Sequence, residues 1–315
     1  RSSFAVGVVC TIAVVLGGVL VPSIAGGTGT VVAPPAGGVS LPNPTASSTF
    51  PPGTYVIGPR QAKSDRPVLY RNGCQGLLVS PATQKPCIFG DTRASKTVML
   101  FGDSHAAQWF PAVETAAQQR HYRLVVRTRA SCPWYTMPDF QVRGTTSAAC
   151  RQWQRDRIAE IKANPPDVLI LASIERFYQV RAGAAWASEQ ESQRTISAAI
   201  TSTLPVLVKT GAKVFVMHDT PHMDVDVPRC VAKKLFNPER CAMPREKGFA
   251  FGGADAKAAS TVPGAAVLDF TDTLCGPAPR ACDVVRQGMV LYRDSNHVTA
   301  TYARLFAPRF AELLQ

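Results

Sequence analysis

No two of the nine cysteines stand in a Cys-x-x-Cys spacing, which excludes the usual ligand pattern of structural zinc and the thioredoxin-type redox pair. The chain also lacks zinc-finger spacing, an RNP-like aromatic run and any dense basic stripe. These absences argue against nucleic acid as a partner, despite a formal net charge of +12. The surplus of 34 Lys and Arg over 22 Asp and Glu leaves open an anionic lipid, an acidic glycan, or a plain arginine-rich soluble surface. No internal repeat is visible. Charge is missing altogether from Phe4 to Tyr55.

Within that uncharged stretch, Phe4 to Ala25 is an apolar run of 22 residues, about 33 Å as a helix, enough to cross a bilayer core of about 30 Å. A signal peptide is the competing reading; its apolar core is shorter and follows a basic start. Because the first residue is Arg1 and not Met, the sequence is expected to be part of a longer protein. Residues 26–57 are rich in Gly, Pro, Ser and Thr and read as a linker. Residues 58–97 read as a small extension stapled through Cys74 and Cys87, and residues 98–315 as the main domain.

Apart from Cys10, the cysteines fall in chain order into four local pairs: Cys74 with Cys87, Cys132 with Cys150, Cys230 with Cys241, and Cys275 with Cys282. An even set in loop-like surroundings suggests an oxidising compartment outside the cytoplasm. From Lys96 the pattern alternates. Strand-like runs at Val98–Phe101, Arg123–Val126, Val168–Ala172, Lys213–Met217 and Ala265–Asp269 are separated by helical patterns at Ala106–Arg120, Arg151–Ala163, Thr195–Lys209 and roughly Lys247–Ser260. This order predicts an α/β domain with a doubly wound parallel sheet, whose chemistry lies at the carboxyl ends of the strands.

One such end is Val98-Met99-Leu100-Phe101-Gly102-Asp103-Ser104-His105. Four apolar residues form a buried strand, Gly102 allows a sharp turn, and Ser104 arrives at the start of a helix. A serine there is either a nucleophile helped by free N–H groups or a plain N-cap. Near the other end, Asp294-Ser295-Asn296-His297 precedes the helical pattern Val298–Leu314. Spacing of i and i+3 on one helical turn lets Asp294 reach and orient His297. Ser104, His297 and Asp294 thus supply nucleophile, base and orienter.

At these residues the chain resembles the SGNH hydrolase family of esterases and acyltransferases. The string GDSHAAQWFPAV, followed by SCPW, resembles its extracytoplasmic branch fused behind the membrane domain of acyltransferase family 3. The resemblance runs from about Cys74 to Gln315. It implies a flavodoxin-like three-layer sandwich and a Ser104–His297–Asp294 triad. It also implies a membrane acyltransferase domain earlier in the same chain that supplies acyl groups, and a cell-envelope glycan or glycolipid as acceptor. The implied function is O-acylation outside the cytoplasm with no cofactor. The rivals are a membrane-tethered esterase, or a degenerate domain that only binds glycan.

The family's second and third blocks bring a glycine N–H and an asparagine side chain to the oxyanion hole. Here those regions read Thr128-Arg129-Ala130-Ser131-Cys132-Pro133 and Ala172-Ser173-Ile174-Glu175-Arg176, with neither residue. The N–H groups of Ser104 and of Ala130 or Ser131, with Ser173 and Arg176, are the candidate donors. His218-Asp219-Thr220-Pro221-His222, with Asp224 and Asp226, has metal-ligand residue types. Pro221 breaks the helix that would align its histidines, so the segment reads as a loop lining the cleft, with no metal. His105 is expected to pack or hydrogen-bond beside Ser104. Trp109, Trp134 and Trp153 read as core more than as sugar platforms.

Overall fold

A computed structural model describes residues 30–31, 53–146, 148–250, 253–277 and 279–315. The membrane span expected at Phe4–Ala25 lies outside the described residues. Among those described, no helix is long and apolar enough to cross a membrane. Thr30–Val31 pairs in parallel with Thr54–Tyr55. From Tyr55 the chain is laid on the domain. The Tyr55 hydroxyl donates to Leu235 O at 2.7 Å, and the Val56 N–H donates to Gly288 O at 2.7 Å. Packing therefore begins a little ahead of the boundary at residue 57 read from composition.

Five parallel strands form the centre: β1 (Thr97–Gly102), β2 (Arg123–Arg129), β3 (Val168–Ala172), β4 (Lys213–Met217) and β5 (Ala265–Leu268). Their spatial order is β2-β1-β3-β4-β5, the flavodoxin-like doubly wound order, with its switch point between β1 and β3. Two short segments of the stapled extension complete the sheet on the far side of β2. Gln75–Gly76 pairs with it in parallel and Ile88–Gly90 antiparallel.

Side-chain alternation assigns the two cores. On β1, Val98 and Leu100 face one core while Met99 and Phe101 face the other; on β3, Val168 and Ile170 oppose Leu169 and Leu171. The period of two sends successive residues to opposite faces, so a continuous apolar run is what a strand covered on both sides requires. On the first face lie α1 (Ser104–Ala107), α2 (Phe110–Gln119), α6 (Ala300–Arg304) and α7 (Ala307–Leu313), with Trp109, Phe270, Phe306 and Phe310 packed ring to ring. The second face is covered by α3 (Ala148–Ala163), α4 (Glu189–Val208) and α5 (Ala254–Thr261).

Helix boundaries depart from the periodicity where capping and proline intervene. The pattern Ala106–Arg120 is two helices, with Pro111 in the first turn of α2, and Val298–Leu314 is likewise split, with Pro308 in the first turn of α7. Proline is accommodated in a first turn because no intrahelical bond is lost there. Helix α4 starts at Glu189, ahead of the apolar pattern at Thr195, because Ser188 and Glu191 form a reciprocal capping box. The pattern Lys247–Ser260 resolves into Arg245–Gly248 and α5, with Gly253 in the left-handed region (φ 88°) as the N-cap of α5.

All four cysteine pairs are disulfides, with Cα separations of 5.8, 5.7, 6.0 and 3.6 Å in chain order. Trp109, Trp134 and Trp153 are buried. One feature was not legible in the sequence. A small antiparallel sheet is built from Phe140–Val142 and Thr145–Thr146 after β2, and from Tyr178–Ala182 and Ala185–Trp186 after β3.

Candidate active site

The carboxyl end of β1 is pressed against β3. A Cβ on Gly102 would lie 1.8 Å from Ala172 O, and its φ is +150°. Only glycine fits this approach. It delivers Asp103, fully buried, whose Oδ1 accepts the His105 N–H at 2.7 Å. Asp103 Oδ2 accepts the Ile174 N–H at 3.0 Å and the Tyr178 hydroxyl at 2.8 Å. Asp103 therefore caps α1 and clamps the loop after β3 to the serine turn. Burial pushes its carboxyl up to about 6, and the neighbouring His105 charge and these hydrogen bonds oppose that rise.

Ser104 opens α1 with its hydroxyl toward the C-terminal segment. Its Oγ is 2.9 Å from His297 Nε2, and His297 Nδ1 is 2.8 Å from Asp294 Oδ2. The sequence reading placed Asp294 and His297 on a helical turn. They instead occupy a bend ahead of α6. Asp294 Oδ1 closes the bend by accepting the N–H groups of Asn296 (2.9 Å) and His297 (2.8 Å). The i, i+3 contact thus comes from an Asx-type turn. Gln108 of the serine loop holds the segment in place by accepting the Val298 N–H at 2.8 Å.

The electrostatics are those of a buried base. Burial would raise Asp294, but the His297 contact holds it well below the usual carboxylate range. Burial pulls His297 down to about 4; the Asp294 hydrogen bond opposes this and the His105 charge adds to it. His297 is therefore neutral at physiological pH, with Nδ1–H donated to Asp294 and Nε2 left to accept the serine proton.

Beneath it lies a buried cluster that the sequence did not reveal. His105 Nδ1 contacts Asp219 Oδ1, and His222 Nε2 is 3.1 Å from Asp219 Oδ2. Burial opposes charge on His105, yet the Asp219 carboxylate raises it above the ordinary value. In turn, burial would raise Asp219, and His105 and His222 hold it well below the usual range. The Asp219-Thr220-Pro221 turn also ties to the histidine segment, as the Thr220 hydroxyl donates to Asn296 O at 2.7 Å. Among the described residues, no group of three or more His, Cys, Asp or Glu side chains is arranged to hold a metal ion.

The oxyanion candidates are placed differently from one another. After β2, the Ala130 N–H is committed to Gly76 O (2.8 Å) and the Cys132 N–H to Arg129 O (3.1 Å). Ser131 is held in the left-handed region, φ 52°, next to the disulfide between Cys132 and Cys150. Ser173 is buried and its hydroxyl accepts the Trp134 N–H at 3.1 Å, tying the loops after β2 and β3 together. The Arg176 guanidinium lies 5.3 Å from the Phe177 ring centroid. Glu175 is spent on the N-terminus of α5, accepting the N–H groups of Ala254 (2.9 Å) and Asp255 (2.7 Å).

This constellation can run acyl transfer through a serine ester, since nucleophile, base and orienter are all within hydrogen-bond reach. No curated protein matches the chain by sequence. A similar fold is found in the periplasmic domain of the Salmonella ser. Paratyphi A lipopolysaccharide acetyltransferase, at 17% identity and a TM-score of 0.51, over 72% of this chain and 87% of that one. Residues 73–312 match the family described as SGNH domain (fused to AT3 domains). That match takes in Ser104, Asp294 and His297 together with the whole sheet that carries them, and the chain belongs to this SGNH family.

Proposed function

We propose that the chain is the extracytoplasmic O-acyltransferase part of a membrane protein, moving an acyl group onto a hydroxyl of a cell-envelope glycan or glycolipid. The observation that carries this is the 2.9 Å contact between Ser104 Oγ and His297 Nε2, backed by Asp294. The family's fusion to AT3 domains supports a membrane acyltransferase domain in the same protein as the source of acyl groups. The four disulfides support an oxidising compartment. The structural relative is itself a lipopolysaccharide acetyltransferase, in keeping with a glycan acceptor.

In this mechanism Ser104 Oγ attacks the donor's acyl carbon while His297 Nε2 takes the hydroxyl proton. Main-chain N–H groups of Ser104 and Ser131, at the carboxyl ends of neighbouring strands, receive the oxyanion. Collapse expels the donor's leaving group, protonated by His297, and leaves an ester on Ser104. An acceptor hydroxyl then gives its proton to His297 and attacks the ester. The second collapse returns the proton to Ser104 Oγ and releases the acylated acceptor. Asp294 keeps the Nδ1 proton in place throughout.

The test is to form the acyl-enzyme with an activated acetyl ester, then add envelope polysaccharide or buffer alone. Ester appearing on polysaccharide faster than acetate in buffer supports transfer. Equal release in both makes the domain an esterase, and no acyl-enzyme at Ser104 leaves only glycan binding.

A further inference from the structure

The small antiparallel sheet beside the site carries a charged and aromatic surface. Phe177 is 39% exposed and sits at φ 75°, a conformation costly for a bulky side chain and found where function over-determines the backbone. Pairing of Val142 with Tyr178 brings Arg143 across from Phe177. The guanidinium carbons of Arg143 and Arg176 each lie 5.3 Å from the Phe177 ring centroid. Farther along the same sheet, Arg181 stacks on Trp186 at 4.7 Å, with the two residues paired across the hairpin.

This surface adjoins the reacting groups. The Phe177 ring is 5.8 Å from that of His222, which shares Asp219 with His105. The next residue, Tyr178, donates to Asp103, the neighbour of Ser104. A molecule lying on Phe177 therefore leads toward the serine.

We propose that Arg143, Arg176 and Phe177 form an acceptor subsite for a sugar bearing a carboxylate or phosphate, so that the acceptor glycan is acidic. The proposal rests on the acyl-transfer reading for the word acceptor. The guanidinium fork matches a carboxylate or phosphate bidentately, and the exposed part of the ring offers apolar surface to the C–H side of a sugar. Both guanidinium groups lie at one exposed ring. Arg181 and Trp186 repeat the pairing for a residue farther along the same glycan. The excess of positive charge over the whole chain adds long-range attraction of the same sign.

The experiment measures binding of three probes to the full chain: tetragalacturonate, a phosphate-bearing mannotetraose, and neutral galactotetraose. At least one charged probe should bind about tenfold tighter than the neutral one at low salt, with the advantage shrinking at high salt. Arg143→Gln and Arg176→Gln should each remove most of that advantage, and Arg143→Lys should keep part of it, with thermal unfolding confirming that each variant is folded. Preference for tetragalacturonate marks a carboxylate source and preference for the phosphorylated probe a phosphate source. Equal binding of all three probes, or charge preference unchanged in both glutamine variants, overturns the subsite. Fluorophosphonate labelling of Ser104 in the same preparation reports on acyl transfer separately. Labelling without charge preference sinks the subsite alone, whereas charge preference without labelling sinks the transfer reading and leaves an acidic-glycan site standing.

Discussion

The ring of His105 packs on that of His297, with centroids 4.7 Å apart and planes tilted by 50°. One ring is held toward its charged form by Asp219 and the other toward its neutral form by burial and by that charge. Two adjacent imidazoles with opposite preferences are a way to keep the base unprotonated in an acidic compartment.

The pH dependence of Ser104 labelling follows. A base must be neutral, so labelling should persist well below the ordinary histidine value of 6.5 and fall with a midpoint of about 4. Removing the adjacent charge in His105→Gln should move that midpoint upward. A wild-type midpoint at 6.5 would refute the effect of burial, and an unmoved midpoint in His105→Gln that of the neighbouring ring.

Asp294→Asn should slow labelling by about a thousandfold or more. Its Oδ1 is already committed to two main-chain N–H groups, so the amide nitrogen would face His297 Nδ1. That donor forces the ring proton onto Nε2, which then points a hydrogen at Ser104 and accepts nothing. Single-turnover labelling at neutral pH checks this; a rate within a few-fold of wild type would refute it.

Gly102→Ala should cost at least about 3 kcal/mol, because the new methyl meets Ala172 O at 1.8 Å in a backbone conformation that disfavours any side chain. Urea unfolding gives the measurement. The same substitution at Gly144, which has open space around it but also positive φ, should cost less.

Tyr178→Phe removes a hydroxyl that donates to Asp103 and should cost about 1–3 kcal/mol. The Asp103 carboxyl is raised from 3.8 to about 6 in the fold, so the folded state holds its proton more tightly and this group's contribution to stability declines as pH rises between those values. The tyrosine bond favours the ionised form, so its loss should be felt more at pH 8 than at pH 4. Equal destabilisation at both would argue against this account.

How much of this was legible in the sequence varies with the kind of signal. The central strands were readable because burial on both faces leaves uninterrupted apolar runs, as in Val168–Ala172. That Ser104, Asp294 and His297 meet is legible because all three stand at strand and helix boundaries, although an Asx-type bend joins Asp294 to His297 where the spacing predicts a helical turn. The role of Asp103 is not legible, since nothing local shows that Tyr178 will reach it. The Asp219 link to His105 spans 114 residues and depends on two strand ends meeting. The antiparallel sheet is not legible because Phe140–Val142 and Tyr178–Ala182 are short and pair with each other across the whole of α3 and β3.

The stapled extension has a consequence for how the chain behaves among copies of itself. Strand β2 is seven residues long and would otherwise present an open row of N–H and C=O groups on the side away from β1. Gln75–Gly76 and Ile88–Gly90 occupy that row, and the bond between Cys74 and Cys87 joins the two segments at their flanks. The opposite margin of the sheet is β5, only four residues long. Neither border offers a long template for strand addition, so intermolecular sheet growth is blocked on one side by a covalently fastened cover and limited on the other by brevity.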